Sequence, residues 1–112
     1  MANAGPADFR VTPTQLTDTR TLLVSNSHFT FERIDLAPNS AWCLKAKHET
    51  WLLLICGSGR VGSFDLTTRD AVFAQSDHIN IRTGGIGLTG LVAYTGGLNP
   101  QLLECVDMET TQ

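Results

Sequence analysis

Five polar side chains in two short stretches of the chain have the types and the spacing to bind a small anion. Lys45 and Lys47 are two residues apart. The same spacing recurs in His78, Asn80 and Arg82. Residues two apart project from the same face of a β-strand. If both stretches are strands that face one enclosed space, they form a cationic pocket suited to a sugar phosphate or a carboxylate.

A different interpretation of these residues is also open. Lysine and arginine side chains are mostly exposed, so the same charges could be solvated at the edge of the domain. Ile79 and Ile81 alternate with the polar residues of the second stretch. As the apolar side of that strand, the two isoleucines would more naturally face inward. The sequence leaves both orientations of this strand open.

A metal site or a nucleophile would need other residues. His28, His48 and His78, with Glu49, could ligate a metal if the fold brought them together, but no local spacing motif links them. Cys43, near His48 and Glu49, offers the residue types of an activated thiolate without the surrounding signature of a known nucleophile. The sequence therefore predicts no catalytic residue and no metal ligand.

Short apolar runs separated by turn residues make up most of the chain, and no stretch has the period of an amphipathic helix. Many short strands with regular turns are typical of a β-sandwich or a β-barrel. We therefore predict an all-β protein, with a flexible N-terminal segment over residues 1–15 and one barrel domain over residues 16–112. Strands are predicted at 21–25, 29–36, 42–45, 50–56, 60–64, 70–74, 79–82, 88–94 and 101–106, with turns at 57–59, 75–77, 84–85 and 96–97.

Composition narrows the classes of partner. The chain has 112 residues, of which 42 % are apolar and 17 % charged, and its net charge is −3. An acidic balance argues against nucleic acids and anionic membranes, whose binders carry a basic surface. No apolar run approaches the roughly 20 residues that span a bilayer, and residues 1–20 lack the apolar core of a signal peptide. With three cysteines and no CxxC motif, a reduced, cytoplasmic setting is expected.

One run predicts a partner. Residues 51–56, which begin with Trp51 and end with Cys56, are apolar without alternation. Such a strand is buried on both faces. In a small two-layer fold one face meets the core, and a second subunit is the simplest cover for the other, since large exposed apolar patches are rare. We therefore predict a homodimer through this strand; cover by tails or neighbouring loops is the alternative.

Four stretches of the chain resemble one known family. Residues 27–36 are similar to the opening strand of its domain, and Gly57-Ser58-Gly59-Arg60-Val61 is similar to the cupin EGxGxV hairpin. Residues 66–73 resemble the L-x-x-G-D-x-V-F segment, with Arg69-Asp70 in place of Gly-Asp, and residues 87–94 resemble a late strand. Together they resemble the cupin domain that closes type I mannose-6-phosphate isomerases. The resemblance implies a single cupin-type jelly-roll β-barrel.

The resemblance also implies where a metal would be bound. Cupins take two His and a Glu from a first motif and a His from a second. Carried onto this chain, those positions fall on Leu44, Ala46, Thr50 and Asn80, or, with a longer spacing, on Cys43 and Lys45 for the first two. These residues are not a standard ligand set, and a lysine ammonium repels a cation. We predict a barrel without metal or cofactor.

The function predicted from the sequence is therefore a metal-free cupin module. It would bind a small, anionic, carbohydrate-related ligand, such as a sugar phosphate, through Lys45, Lys47, His78, Asn80 and Arg82, or it would serve as an interaction domain. In the isomerases the zinc site and catalysis belong to a preceding large domain, for which 112 residues leave no room. Two alternatives stay open: a stand-alone isomerase-like or other cupin enzyme with a non-standard metal site, and a purely structural dimer.

Overall fold

The computed structural model describes residues 13–106, and within that range the chain forms seven β-strands and no helix. The prediction of an all-β fold is confirmed. The predicted N-terminal segment falls largely outside the described residues, although Thr14 and Gln15 pair with the next strand. The strands are β1 (Thr14–Gln15), β2 (Arg20–Ser25), β3 (Phe29–Leu36), β4 (Ala41–Val61), β5 (Phe64–Thr67), β6 (Ala71–Thr95) and β7 (Leu103–Val106).

The strands form one antiparallel sheet in the order β1-β2-β3-β6-β4-β5, with β7 paired to β4. Two very long strands curl this sheet into a barrel. The first part of β4, residues 41–53, pairs with residues 71–82 of β6, and residues 50–57 of β4 pair with residues 88–94 of the same strand. Residues 88–95 also pair with β3. The second part of β6 therefore lies between β3 and β4.

Three predicted turns lie inside strands instead. Residues 57–59 continue β4, whose turn comes at Gly62 and Ser63, and residues 75–77 and 84–85 continue β6. The glycines mark bends and close approaches of the backbone. Gly57 has a φ of +92°, and a Cβ there would lie 2.1 Å from the carbonyl oxygen of Gly87. Only glycine fits this point, where β4 passes against β6.

The apolar core fills the barrel between these strands. Its most deeply buried members come from three strands and the loop before β7: Ile34, Leu44, Leu52, Leu54, Val61, Ile81, Val92 and Leu102. β3 shows how the sequence selects a face. Ile34 and Leu36 point into the core, whereas Phe29 and Phe31 on the opposite side are exposed. Among residues 13–106 there is no helix long and apolar enough to cross a membrane.

The run at 51–56 is buried on one face only. Leu52 and Leu54 are each 1 % exposed, whereas Trp51, Leu53 and Ile55 are exposed on the other side of the strand. Within the described residues, therefore, one face of this strand meets the core, as predicted, and the other is left uncovered, because alternation of the pleat places every second side chain outside. Cover of the outer side by a second subunit stays a prediction.

Candidate binding cavity at one end of the barrel

A buried ion pair marks one end of the barrel. The Arg20 guanidinium donates from Nε to Oε1 of Glu32 at 2.7 Å and from Nη2 to Oε2 at 2.6 Å. The Tyr94 hydroxyl donates to the same carboxylate. Arg20 is 3 % exposed and Glu32 is fully buried. A bidentate pair with a third donor satisfies a carboxylate that has lost its water.

Strand register brings these three residues together. Arg20 begins β2 opposite Ile34 of β3, and Glu32 lies two residues from Ile34 on the same inner face. Tyr94 comes from the end of β6 and lies opposite Thr30 on one side and Thr50 on the other. Thr30, Glu32, Thr50 and Tyr94 therefore share the inner surface at this end of the barrel, where the core is polar.

The same network holds the segment that follows β6. Arg20 Nη1 donates to the carbonyl oxygen of Pro100 at 3.0 Å, and Nη2 donates to that of Asn99 at 2.7 Å. The backbone N–H of Asn99 donates to the Tyr94 hydroxyl oxygen at 3.1 Å, and its side-chain amide donates to the carbonyl of Lys45 at 3.1 Å. Residues 96–102 are therefore fixed across the barrel end.

The environment fixes the protonation of the network. Burial, followed by the hydrogen bond to Glu32, raises the pKa of Tyr94 to about 12. Burial alone would lower the pKa of Arg20, but the hydrogen bond and the charge of Glu32 outweigh it and the pKa is raised. Near neutral pH the cluster thus holds a guanidinium and a neutral phenol around Glu32, so burial has not removed the charge of Arg20.

A cavity of about 250 Å³ lies beside this network. Its lining combines cationic, imidazole, hydroxyl and backbone groups from β4, the end of β6 and the following segment: Lys47, His48, Thr50, Tyr94, Thr95, Gly96, Gly97, Leu98 and Asn99. Thr50 is buried, whereas Lys47 and His48 are exposed at the rim. The volume is below the roughly 300–1,000 Å³ of sites for drug-sized ligands. It suits a small acid or a single sugar.

Local backbone geometry shapes the rim. The pairing of β4 with β6 shifts between Ala46 and Glu49, so Lys47 and His48 stand at a bulge. A bulge re-aims the side chains that it carries. Gly96 has a φ of +86°, and the ring of His48 lies 3.7 Å from the position that its Cβ would occupy. Glycine at 96 thus provides the left-handed turn beside the cavity.

The structure brings only Lys47 of the five predicted ligand-binding residues into this cavity. Lys45 Nζ lies 2.7 Å from Oε1 of Glu104 on β7. The hydrogen bond and charge of Glu104 raise the pKa of Lys45, and Lys45 in turn lowers that of Glu104. The bulge after Ala46 separates the two lysines, which alternation had placed on one face.

His78, Asn80 and Arg82 lie on the outer surface of β6, all exposed. Ile81 is fully buried, so the isoleucines occupy the inner side of this strand, which is the second of the two orientations that the sequence left open. The structure therefore does not assemble these three polar residues with Lys47. Their role in binding a ligand stays a prediction.

The side chains inside the barrel do not fit a cupin metal site. Of the positions carried over by the resemblance, Leu44, Ala46 and Thr50 are buried and Asn80 is exposed outside. Two hydrocarbon side chains and a hydroxyl cannot replace imidazole and carboxylate ligands. Over residues 13–106, no three His, Cys, Asp or Glu side chains lie close enough together to hold a metal ion. His28, His48 and His78 therefore do not form a ligand set in this structure. The absence of a metal stays a prediction for metal analysis.

Sequence reasoning missed Arg20, Glu32, Tyr94 and Asn99. The sequence did carry a signal for Glu32, because alternation along β3 places it on the same side of the strand as Ile34 and Leu36. A carboxylate on the apolar side of a strand is costly unless it is paired, so this position could have prompted a search for a buried cation. Arg20 and Asn99 lie 12 and 67 residues away along the chain, and no local pattern links them to it.

Comparison with known proteins identifies the fold. No protein-family model and no curated protein sequence matches this chain. Solved structures do match. An oxalate decarboxylase variant of Bacillus subtilis has a TM-score of 0.64 at 17 % identity over 86 % of this chain. Ectoine synthase from P. lautus has a TM-score of 0.65 at 10 % identity, over 96 % of this chain and 91 % of its own.

KdgF from Halomonas sp. is a third neighbour, with a TM-score of 0.64 at 8 % identity over 81 % of this chain and 91 % of its own. This chain spans 30 % of the length of the oxalate decarboxylase. Identities this low establish the fold and nothing further. The chain is a cupin-type jelly-roll β-barrel, as its sequence predicts.

Proposed function

We propose that this chain is a cupin-fold binding module that holds a small, anionic, carbohydrate-related ligand in the cavity at the barrel end. The observation that carries the proposal is the cavity of about 250 Å³ with Lys47 and His48 at its rim and the Arg20–Glu32–Tyr94 network beside it. Sugar acids and sugar phosphates are the ligand class that this lining fits, because they combine hydroxyls with a negative charge.

Charge supports the preference for an anion. Arg20 and Glu32 compensate each other within hydrogen-bonding distance, and Tyr94 is a neutral phenol because its pKa is raised to about 12. The wall formed by the network is therefore close to neutral, and Lys47 adds a cationic side chain to the lining. A small anion gains from such a site, since the ammonium group of Lys47 can donate a charge-assisted hydrogen bond to it.

Polar groups in the lining support recognition of hydroxyls. Thr50 donates from its hydroxyl to the carbonyl of His48 at 3.0 Å and keeps its oxygen lone pairs as acceptors. Tyr94 and Asn99 hold each other in place through a 3.1 Å hydrogen bond. Because these groups are already positioned, a ligand would lose little entropy in ordering them. One neighbour in fold, oxalate decarboxylase, is named for a small dicarboxylate.

Binding fits the side chains better than catalysis does. The proton of Tyr94 is engaged with Glu32, and a pKa of about 12 holds it too strongly for general acid chemistry near neutral pH. The carboxylate of Glu32 is saturated by Arg20 and Tyr94. The enzyme alternatives, a stand-alone isomerase-like activity among them, therefore rest on a non-standard metal site.

Ligand screening tests the proposal. Melting temperature is measured with a panel of hexuronic acids, mannose 6-phosphate, oxalate, inorganic phosphate and neutral mannose, and positives are followed by calorimetric titration. A ligand that binds the folded state alone raises the melting temperature. We expect anionic sugars to do so and Lys47→Gln to weaken their binding by about tenfold or more, as loss of a charge-assisted hydrogen bond of about 1.5–3 kcal/mol would.

Lys45→Gln is the matched control, because Lys45 is paired with Glu104 outside the cavity. It should leave ligand affinity unchanged. Equal weakening by both variants would assign the effect to overall charge, and a panel without any stabilising anion would contradict the proposal. Turnover of mannose 6-phosphate together with a stoichiometric transition metal in the purified protein would establish the enzyme alternative instead.

A further inference from the structure

A continuous apolar surface covers the outside of the same strands that carry the cavity. Six large side chains of β3, β4 and β6 form it, each between 39 % and 54 % exposed. We call this surface the apolar face, and it consists of Phe29, Phe31, Trp51, Leu53, Ile55 and Phe73.

Register makes the apolar face continuous. Phe31 lies opposite Ala93, Ala93 opposite Trp51, and Trp51 opposite Phe73, so one apolar row crosses four neighbouring strand segments. The rings of Trp51 and Phe73 are 4.5 Å apart between centroids, and those of Phe29 and Phe31 are 5.8 Å apart. Apolar side chains grouped on one surface of a sheet form a patch, unlike single exposed residues, which need no explanation.

The area of the apolar face approaches what one side of a stable interface needs. At roughly 200 Å² for a fully exposed large side chain, the six residues present about 500 Å². The half-buried Leu91 and Ala93 between them add to this area. A standard interface buries about 800 Å² on each partner. The apolar face also contains aromatic residues, and aromatic side chains such as Trp are common among the few residues that contribute most of the binding energy of an interface.

The shape and charge of the apolar face suit a copy of itself. A groove of about 300 Å³ runs between Phe29, Phe31 and Trp51 and can receive an apolar side chain. Glu49 lines this groove, and Arg33 lies on β3 next to the face, where its Nε is 3.2 Å from Oδ2 of Asp35. A rim with both signs avoids the repulsion that a surface of one sign meets in a two-fold pair.

Other occupants fit the apolar face less well. Residues 1–12 and 107–112 contain only four large apolar side chains, Met1, Phe9, Val11 and Met108, too few to match the six. A nucleic acid would need a basic surface, which this face lacks. We propose that a second copy of this chain covers the apolar face in a two-fold symmetric dimer, whether or not the cavity holds a ligand.

Sedimentation and light scattering of the full chain test this inference. The wild type is expected to be a dimer at micromolar concentration, and Trp51→Glu a folded monomer. Every substitution occurs twice in a two-fold interface, so the dissociation constant should rise by about 1,000-fold if each Trp51 contributes as a hot-spot residue does. Circular dichroism of both proteins verifies that the variant is folded.

Phe64→Glu is the matched control. Phe64 is 60 % exposed on β5, outside the apolar face, so the same change there should leave the dimer intact. A wild type that is monomeric at 100 µM, on the order of the weakest dimers that light scattering detects, would overturn the inference. A Trp51→Glu variant that stays dimeric would do the same.

Tryptophan fluorescence separates a second copy from a segment of the same chain. Trp42 is the one other tryptophan in the chain, so a Trp42→Phe variant reports on Trp51 alone. Protection of Trp51 from acrylamide quenching should be lost on dilution if a second copy covers it. Protection that is independent of protein concentration would mean that the chain covers its own face and would overturn the dimer.

Discussion

At one end of the barrel, polar side chains line the inner surface of the strands and large apolar side chains line the outer surface. On β3, Thr30 and Glu32 point inward while Phe29 and Phe31 point outward. On β4, Thr50 is buried and Trp51 beside it is 54 % exposed. Solvated sheets normally show the reverse, with apolar residues inside and polar ones outside.

At the other end of the first part of β4 the usual pattern holds. Leu44 on β4 and Ile81 on β6 point into the barrel and are buried. Lys45 and His78, which lie opposite each other on the same two strands, are on the outside. The reversal is therefore local and does not follow from the barrel architecture. Positions where a chain departs from the common pattern are expected at functional sites. In the proposals made above, the inner polar surface serves a ligand and the outer apolar one serves a partner.

The largest effect is expected inside the polar end. Glu32→Ala leaves Arg20 buried without its counter-charge and removes the acceptor of the Tyr94 hydroxyl. Loss of one partner of a buried pair costs about 3–5 kcal/mol of stability. Urea unfolding at one fixed protein concentration measures this loss. Arg60→Ala, which breaks the exposed Arg60–Asp65 pair, should cost less than about 1 kcal/mol.

Equal losses in these two variants would contradict the distinction between the two surfaces. A small loss in Glu32→Ala would mean that water reaches Arg20, and the inner polar surface would then be an open mouth. Arg20→Met combined with Glu32→Leu sharpens the test, because removing both charges avoids an unpaired ion. The double variant should recover part of the lost stability while releasing the contacts of Arg20 to Asn99 and Pro100.

The second largest effect is a loss of folding stability at alkaline pH. The pKa of Tyr94 is raised to about 12 from an ordinary value of 10.0, so folding favours the neutral phenol. The resulting stabilisation is complete below pH 10 and is lost as pH rises from 10 through 12, by at most about 3 kcal/mol. Tyr94 is the one tyrosine of the chain. Absorbance titration of phenolate therefore reports this residue alone, and urea unfolding of Tyr94→Phe should show a smaller alkaline loss than the wild type.

A titration midpoint close to 10 in the folded protein would remove the argument that the polar end is shielded. The unfolded chain in urea gives the reference value in the same experiment, so the two states are compared directly. Tyr94→Phe also loses the hydrogen bonds to Glu32 and from Asn99, so the diagnostic quantity is the slope of its stability between pH 10 and 12 and not its stability at one pH.

The smallest effect on folding is expected on the outer surface. Phe31 is 39 % exposed and its ring contacts that of Phe29, so Phe31→Thr, which keeps a strand-forming residue, should cost the isolated chain about 1–2 kcal/mol. Association should respond instead. The melting temperature of the wild type should rise with protein concentration, as for any folded dimer, and this rise should shrink in the variant.

A melting temperature of the wild type that is independent of concentration would assign the apolar face to the single chain. A large loss of stability in Phe31→Thr at high dilution would show that the phenylalanine packs within its own subunit. Either result would remove the contrast between a surface built for a partner and one built for a ligand.

Several features of the sequence were sufficient to predict the fold. The apolar runs and turn residues predicted an all-β chain, and the short glycine motifs predicted the cupin barrel that the structural neighbours share. The turns at 57–59 and 84–85 were wrong because glycine marks two different things. It allows tight turns, and it also allows two strands to pass closely, as Gly57 does against Gly87.

The site was less accessible to sequence reasoning. Alternation predicted that Lys45 and Lys47 share a face, but the bulge after Ala46 depends on how β4 pairs with β6. The orientation of His78 and Arg82 depends on which side of the strand the core selects, and a one-residue choice moves every side chain to the other face. Only Ile81, with its burial in the barrel, decides it.

By itself the sequence determined the class of structure, because strand length, turn residues and apolar content are local properties that need no partner segment. Only the tertiary structure decided that Glu32 meets Arg20 and Tyr94, since those residues lie 12 and 62 positions away. The same holds for the apolar face, which exists because register aligns Phe31, Trp51 and Phe73 across separate strands. Pairing between distant segments creates both surfaces, and no local pattern records it.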